Sequence, residues 1–554
     1  MDRPARLHGD RVCGLTRRDV MQYGTSFGLG AAALTTASVP STAAAASKRG
    51  GHAVVLNYAF PESWDPHLAG TLAVNAVTSP IYNQVVEFDP LQPDNVIGDL
   101  AKSWEVQDNG ATYIFHLHDN ITWHDGKPLT AEDVAFSINR MIEPGQPRPR
   151  VGLLRPMTKS AVALDRNTVK VSLKYPSPSF LQFLAVDYMK IVPKHIVEAG
   201  TDINKWQNIV GSGPFKIKSV RRGDSIRFER NPNYFKPGLP YLDSLTLISM
   251  SDAGTAAAAF RAGKIHMTTG FTTIQVEDVL RLADVLKDKY TLTWQGATGA
   301  SYIFGNVELQ PWRDPRVLKA LRLATDLDEM QKAFGAGMYQ LGAPFPVGSW
   351  YGHSDGELRE LPGYRQPKDQ DIADAKALLK AVGYDPPSKL GKRVLTTIPV
   401  GLFPDQAQLW VAQMRRNLDL TIDIKLVDTP TAVAAYIKGD LDLGIGGYGF
   451  NIYDPDDYVN AVYGPGSRNW SRWKHPEFQA LLKQQSKESD ADKRKALLRQ
   501  METFLLTEEC PYITLVWGRL FYFFSNQVRT EAGDFVTPPT IQTVLKQEHW
   551  WLET

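Results

Sequence analysis

One segment, residues 99–140, constrains the fold more than any other part of the chain. It reads DLAKSWEVQDNGATYIFHLHDNITWHDGKPLTAEDVAFSINR. Within it, Asn109-Gly110 predicts a two-residue hairpin turn, because both central positions of a type I′ turn need positive φ. The strand that follows has one apolar face, formed at period-two spacing by Tyr113, Phe115 and Leu117. The first half of the segment therefore predicts a β-hairpin.

The second half of the segment predicts a turn followed by a helix. Asp125-Gly126 is a turn signal. Thr130 and Asp133 have the spacing of a capping box, with Asp in place of the usual Glu or Gln. The apolar positions after this box form a rough face of a helix, which is made by Val134, Phe136, Ile138 and Met141. The whole segment thus predicts two strands and a helix joined by short connections.

This string resembles the signature of the family 5 extracellular solute-binding proteins. The matching residues are Leu100-Ala101, Ser103 to Glu105, Thr112 to Leu117 and His124 to Ser137. Further similar segments are Gly211 to Phe215 with Arg230 to Tyr234, and Pro311 to Asp326. The resemblance covers essentially the whole mature chain. It implies an α/β fold of the type II periplasmic-binding-protein kind, with three lobes, a hinge and a ligand cleft between lobes.

The first 46 residues have the features of an export signal. Arg17-Arg18 precedes a mildly apolar run rich in Gly, Ala and Thr, and an Ala-x-Ala site ends at Ala46. Paired arginines before a weakly hydrophobic run indicate the twin-arginine route. The run is too short and too rich in Gly and Thr for a membrane anchor. We therefore expect cleavage near Ala46 and a periplasmic mature protein.

The mature chain would keep 508 of the 554 residues, with 56 basic and 57 acidic side chains. This near-neutral balance argues against nucleic acid or an anionic membrane surface as a partner. Cys13 leaves with the signal, so Cys510 has no intrachain disulfide partner. A chain of this length exceeds what one hydrophobic core usually serves, about 250–300 residues. We expect two or three lobes and a monomer.

The resemblance implies how the lobes divide the chain. Lobe I is assembled from residues 47–78, 205–304 and 515–554. Lobe II, the small one, is residues 79–204, and lobe III is residues 305–514. Between residues 394 and 427 the pattern predicts a strand, a helix and a second strand, which favours a parallel pair with a right-handed crossover.

The predicted ligand site centres on a Gly-rich and aromatic loop after a buried strand, residues 446–456. Such loops at the carboxyl ends of strands line clefts in open α/β sheets. The resemblance implies that this is the main recognition loop and that the loop containing Gly70 and Thr71 also faces the ligand. Further aromatic residues complete the candidate set. The set is Gly70, Thr71, Trp350, Tyr448, Gly449, Phe450, Asn451, Tyr453, Asp454 and Trp470.

Asn451 is the departure that bears on the solute. Peptide binders of the family have an aspartate at this position, which pairs with the α-ammonium of the peptide. An amide accepts a hydrogen bond but cannot neutralise a buried ammonium, so the loss is several kcal/mol. Asp454 or Asp456 is a candidate replacement. The sequence leaves open a peptide or amino-acid derivative, or another polar solute such as an opine, a sugar conjugate or a polyamine-like molecule.

The sequence offers no catalytic constellation, and we expect no cofactor and no metal. His116, His118 and His124 are close enough in sequence to suggest a metal site, but the resemblance implies that His116 is a strand residue outside the cleft. The predicted function is therefore capture of a small polar organic solute and its delivery to an ABC permease of the inner membrane. The alternatives are a di- or oligopeptide-binding protein of the same family, an exported hydrolase, or a periplasmic chaperone or sensor.

Overall fold

Strands and helices alternate along the part of the chain that the computed structural model describes. That part is residues 49–553 except 69, 94, 147, 271, 335–336, 534–535 and 539–545. The predicted export signal, residues 1–46, lies outside the described residues.

The strands are β1 (His52–Asn57), β2 (Val86–Phe88), β3 (Val96–Gly98), β4 (Ala101–Gln107), β5 (Thr112–Leu117), β6 (Thr158–Ala163), β7 (Thr168–Leu173), β8 (Phe215–Arg221), β9 (Ser225–Arg230), β10 (Ser244–Ser249), β11 (Met267–Thr268), β12 (Tyr290–Gly305), β13 (Tyr339–Leu341), β14 (Arg393–Thr397), β15 (Ile422–Leu426), β16 (Leu443–Gly449), β17 (Tyr512–Ser525), β18 (Val528–Arg529) and β19 (Trp551–Leu552). The helices are α1 (Leu72–Thr78), α2 (Ala131–Ile142), α3 (Phe180–Ala185), α4 (Lys194–Glu198), α5 (Ala253–Arg261), α6 (Val276–Val285), α7 (Pro315–Ala324), α8 (Leu327–Phe334), α9 (Asp355–Arg359), α10 (Asp369–Ala381), α11 (Phe403–Leu418), α12 (Thr429–Lys438), α13 (Pro455–Tyr463), α14 (Pro476–Gln485) and α15 (Ala491–Thr507).

The segment that opened the sequence analysis forms β4, β5 and α2. The hairpin is present, but its turn is longer than predicted. Gln107 pairs with Thr112, so the loop has four residues, and Asp108, Asn109 and Gly110 all have positive φ. The capping box is confirmed, because the backbone N–H of Thr130 donates to the Asp133 carboxylate at 2.9 Å.

Two sheets account for most of the strands. The large sheet has eleven strands in the order β15–β14–β16–β12–β17–β11–β1–β10–β9–β8, with β13 paired to β17. The smaller sheet has four strands in the order β4–β5–β7–β6. The predicted strand–helix–strand unit is confirmed, because β14 and β15 are parallel neighbours joined by α11.

Two elements differ from the sequence expectation. The pattern of residues 75–85 predicts a helix throughout, but α1 spans Leu72–Thr78 and ends shortly before Pro80, whose ring and missing N–H do not continue a helix. The second is β12, which the sequence analysis did not predict. It runs antiparallel to both β16 and β17, and its pairing with β17 shifts register between Trp294 and Gly299.

The lobe boundaries after residues 304 and 514 fall at the ends of the long strands, one residue before the end of β12 and two residues after the start of β17. The register shifts in this strand pair lie around residues 294–302. The three-lobe division and the hinge stay predictions. No helix among the described residues is long and apolar enough to cross a membrane.

A buried ion pair fixes the loop that leads to Gly70. Arg140, near the end of α2, donates to both carboxylate oxygens of Asp65, at 3.1 Å and 2.5 Å. The His67 ring lies against the same guanidinium, and burial together with Arg140 lowers the pKa of His67 to about 4. A neutral ring accepts the Arg140 N–H at Nδ1 and donates from Nε2 to the Lys190 carbonyl at 2.7 Å. The loop before Gly70 is therefore anchored to the signature helix.

A second buried cluster of charges joins three parts of the chain. Lys190, Lys236 and Lys546 meet the carboxylates of Glu87, Asp99 and Asp187, and all six residues are buried or nearly so. Lys546 contacts Glu87 and Asp187, each at 3.0 Å, and Lys236 contacts Glu87 at 2.6 Å and Asp99 at 2.9 Å. Because each charge has an opposite partner, the cluster ties the segment before β8 to the segment after β9 and to the C-terminal segment.

Candidate functional site

The recognition loop follows β16, and its glycines have a packing role. A Cβ at Gly446 would lie 2.4 Å from the Trp470 ring, and one at Gly447 would lie 2.5 Å from the Ala300 carbonyl oxygen. Gly449 closes the strand opposite Gly299 of β12. The glycines therefore let the strand lie directly against its neighbours, and close approach to a solute is not needed to explain them.

Asn451 is the centre of a buried hydrogen-bond network. Its side-chain amide donates to Asp457 Oδ1 at 2.8 Å and to the Tyr448 hydroxyl at 3.0 Å. Its backbone N–H donates to Asp457 Oδ2 at 2.6 Å, and the Tyr448 hydroxyl donates to Asp457 Oδ1 at 2.7 Å. The amide nitrogen of Asn451 is thus directed at a carboxylate, which leaves its oxygen on the opposite side.

Asp457 is the carboxylate that this network surrounds. It lies in the first turn of α13 and is 4% exposed. Burial raises the pKa of Asp457 to about 6, although the hydrogen bonds from Asn451 and Tyr448 act in the opposite direction. A cation in contact would lower that pKa. Asp457 therefore sits in a site built from neutral donors.

Arg150 connects the two loops that are predicted to face the ligand. Its Nε donates to the Gly70 carbonyl at 3.2 Å, and its Nη1 donates to Asn451 Oδ1 at 3.3 Å. The guanidinium also lies 5.8 Å from the centre of the Tyr188 ring. The structure therefore brings Gly70 and Asn451 to one place. Thr71 is turned to another partner and donates to Glu62 at 2.6 Å.

The two carboxylates suggested as replacements for the missing aspartate are already engaged. Asp454 accepts two hydrogen bonds from Arg494, at 2.6 Å and 2.7 Å, and is 4% exposed. Asp456 accepts from Ser179 at 3.0 Å and from Gln485 at 2.8 Å. The suggestion that one of them takes over is wrong for this conformation, because each one is satisfied inside the protein.

The aromatic candidates divide between the surface and the core. Phe450 is fully buried and stacks on Trp517 at 5.4 Å, and Trp470 is 3% exposed within an aromatic cluster. The expectation that Phe450 and Trp470 contact a solute is corrected, because both rings pack in the core. Tyr453 is half-buried beside Phe450. Trp350 is 39% exposed and lies 5.9 Å from the Arg494 guanidinium, which groups it with Asp454.

Sequence reasoning missed Arg150, Asp457 and Tyr188. Arg150 ends the run Arg148-Pro149-Arg150, and two arginines in a Pro-rich loop were a signal for a basic group outside a helix. Asp457 follows Asn451 by six residues and lies in a helix that Asp454 caps, so its side chain returns to the loop. Tyr188 carried no usable signal, because a lone aromatic in an apolar run is ordinarily a core residue.

A cavity of about 760 Å³ adjoins this network. Tyr448 and Asp457, which hold Asn451, are part of its wall. The other walls come from residues 148–183 and 456–487, so it lies between the predicted lobes II and III. Its apolar lining includes Leu153, Met157, Tyr175, Phe183 and Leu482. A volume of this size is in the range of pockets for small organic molecules.

The three histidines weighed as metal ligands have other partners. His116 Nε2 lies 3.3 Å from Glu105, His124 Nε2 lies 3.0 Å from the Gly213 carbonyl, and the His118 ring lies against Phe235. Within the described part of the chain, no group of three or more His, Cys, Asp or Glu side chains could hold a metal ion.

Comparisons with known proteins identify the family. The model of the bacterial extracellular solute-binding proteins, family 5, middle region, matches residues 95–470. The probable deoxycholate-binding periplasmic protein YgiS of Escherichia coli is 25% identical over 485 residues, which cover 84% of this chain and 87% of that protein. The dipeptide-binding protein of E. coli is 26% identical over 535 residues, which cover 91% and 95%.

Solved structures share the fold. A periplasmic binding protein, DppA of Helicobacter pylori in complex with a peptide, superposes with a TM-score of 0.72 at 24% identity, covering 92% of this chain and 99% of that one. HbpA2 of Haemophilus parasuis gives a TM-score of 0.75 at 23% identity, covering 91% and 100%.

The chain has the type II periplasmic-binding-protein fold. The chain belongs to the bacterial extracellular solute-binding proteins of family 5. It is the substrate-binding component of an ABC importer, and the family is one of binding proteins and not of enzymes.

Proposed function

We propose that this protein works as a periplasmic monomer that captures a small polar organic solute without a free peptide amino terminus. The solute would be delivered to an ABC permease in the inner membrane. Export by the twin-arginine route and cleavage near Ala46 belong to the same proposal. The lobes would close about a hinge. The solute would shift the equilibrium between the open and closed forms by the difference between its affinities for the two forms.

One observation carries the exclusion of free amino termini. At position 451 an amide replaces the carboxylate expected for a peptide binder, and a guanidinium contacts that amide at 3.3 Å. Asp454, Asp456 and Asp457 are all engaged in protein hydrogen bonds. An ammonium placed beside Asn451 would thus meet the Arg150 guanidinium, and the exposed Glu62 carboxylate near Gly70 accepts from Thr71 at 2.6 Å. Contact between two cations costs free energy in a partly dehydrated site.

A second candidate function is peptide binding. It is favoured by relatives such as the dipeptide-binding protein of E. coli, which covers nearly the whole chain. A different relative is named for deoxycholate, so the family's fold serves dissimilar solutes. Binding measurements with defined solutes distinguish the two candidate functions.

A thermal-shift panel with the purified chain 47–554 tests the proposal. The panel contains di- and tripeptides, opines, sugar conjugates, polyamines and deoxycholate. A ligand at about 100 times its Kd stabilises the native state by about 2.7 kcal/mol, which is readily measured. We expect a non-peptide solute, or a peptide with a blocked amino terminus, to raise the Tm while free peptides leave it unchanged. Stabilisation by free di- or tripeptides would reject the exclusion.

A further inference from the structure

Arg150 is a half-buried cation without an ion-pair partner. Among the described residues no Asp or Glu oxygen lies within 4.0 Å of its guanidinium, and its recorded hydrogen bonds go to the Gly70 carbonyl and to Asn451. Both acceptors are neutral. Its second terminal nitrogen, Nη2, has no hydrogen-bond partner in the described part of the chain. An arginine in such a place is normally matched by a carboxylate or phosphate, because the planar fork binds two oxygens at once.

Two acids lie near this cation without pairing with it. Glu62, beside Gly70, is exposed and accepts from Thr71, and Asn451 lies between Arg150 and Asp457. The amide nitrogen donates to Asp457 and the amide oxygen accepts from Arg150. Asp457 accepts further hydrogen bonds from Tyr448 and from the Asn451 backbone, so its oxygens are occupied. The positive charge of Arg150 is therefore left for a group that the protein does not supply.

The adjoining cavity has more basic than acidic side chains in its wall. Its lining includes Arg148, Arg155, Lys483 and Lys487, and the acids Asp456 and Asp457, with Arg148 paired to Glu143 at 3.4 Å. Both acids are buried and hydrogen-bonded. Lys483 and Lys487 have no carboxylate within ion-pair distance among the described residues. Arg150 is not in this wall itself, but its chain neighbours Arg148, Pro149 and Gly152 are, and the rest of the lining is largely apolar.

We propose that the solute is an organic anion, with an acid group paired with Arg150 and an apolar body in the cavity beside Tyr448. The inference rests on the proposed function and names the solute class for the same site. The acid group takes the unused donors of the guanidinium, and the apolar body is removed from water by the cavity wall. An ammonium at the same position is repelled.

The test uses matched probes that differ in charge. Decanoate is compared with decanamide, and N-acetyl-Phe-Leu with its C-terminal amide. Phe-Leu-amide serves as the cationic probe. Calorimetry on the chain 47–554 should give at least tenfold tighter binding of each acid than of its amide, with no binding of the cation.

Two variants separate the ion pair from general packing. Arg150→Gln should weaken acid binding at least tenfold while the amides bind as before. Arg222→Gln, an exposed arginine in the β8–β9 turn, should change neither. Unchanged far-ultraviolet circular dichroism and Tm would show that each variant is folded.

Three results would overturn the inference. They are equal affinity for acid and amide, tightest binding of the cationic probe, or an Arg150→Gln variant that binds acids like the wild type. If the protein binds neutral or cationic solutes but no acid, the proposed capture function stands and the inference of an organic anion fails. If it binds none of these probes and no member of the thermal-shift panel, both the proposed function and the inference fail.

Discussion

Lys546→Met is expected to lower the free energy of unfolding by about 3–5 kcal/mol, because it leaves three buried carboxylates with only two lysine partners. Lys546 contacts Glu87 and Asp187 at 3.0 Å each and is buried. Burial acts against its ammonium, yet Asp187 and Glu87 outweigh burial and hold the pKa of Lys546 well above the usual range. Methionine keeps the length of the side chain and removes the charge. Urea denaturation at neutral pH measures the loss.

Lys264→Met is the matched control. Lys264 is exposed and has no ion-pair partner among the described residues, so its replacement should change the free energy of unfolding by less than about 0.5 kcal/mol. If Lys546→Met cost no more than this control, the cluster would not hold the C-terminal segment to the rest of the chain as described here.

Asn451→Asp is expected to destabilise the protein by about 2–3 kcal/mol near pH 8, and the companion change Asp457→Asn should restore much of the loss. The Asn451 amide nitrogen lies 2.8 Å from Asp457 Oδ1, so an aspartate at position 451 would place two carboxylates in contact. The single variant loses a hydrogen bond to a charged group and gains like-charge repulsion. The double variant returns an amide–carboxylate pair with the acid at position 451, beside Arg150.

The pH dependence of the single variant follows from the pKa of Asp457, which burial raises to about 6. In the variant a second carboxylate replaces the Asn451 amide that lowers this pKa, so the pair takes its first proton above pH 6. The deficit is largest near pH 8, where both carboxylates are charged. As the pH falls towards 6, one acid takes a proton and donates to the other, and the deficit shrinks. Urea melts of the wild type and both variants across this range measure the effect. A deficit that is constant with pH would contradict the contact between the two side chains.

The double variant also has a consequence for binding. The new carboxylate at position 451 would pair with Arg150, so affinity for organic acids should fall while the fold is retained. The double variant separates the effect of charge on binding from the effect of a destabilised fold, because each single variant changes both the charge and the stability.

Local signals predicted the fold well where a short segment determines its own structure. The capping box at Thr130 and the β14–α11–β15 unit need only their own residues and simple periodicity. The hairpin turn was predicted in place but two residues too short, since pairing of Gln107 with Thr112 decides the loop length. β12 gave no strand signal, because glycines and small residues interrupt its pattern and its stability comes from two partner strands distant in sequence.

The candidate site was predicted only in part, because several of its contacts join residues that lie far apart in the chain. The recognition loop and Gly70 were found from the resemblance, and the structure brings them together through Arg150. The roles of Asp454, Phe450 and Trp470 were not predictable, because they depend on Arg494, Trp517 and β12, which lie far away in the chain. The sequence of an aromatic loop does not reveal which of its rings are buried. The buried charge cluster likewise joins three segments that no local pattern relates.

We propose that this chain captures one small solute at the network around Asn451. The most direct measurement is mass spectrometry of the small molecules released on denaturation of protein purified natively from the producing cell. We expect one organic acid in near-stoichiometric amount from the wild type, and none from a folded Arg150→Gln variant. Release of peptides with free amino termini, or of the same solute in equal amount from both proteins, would contradict it.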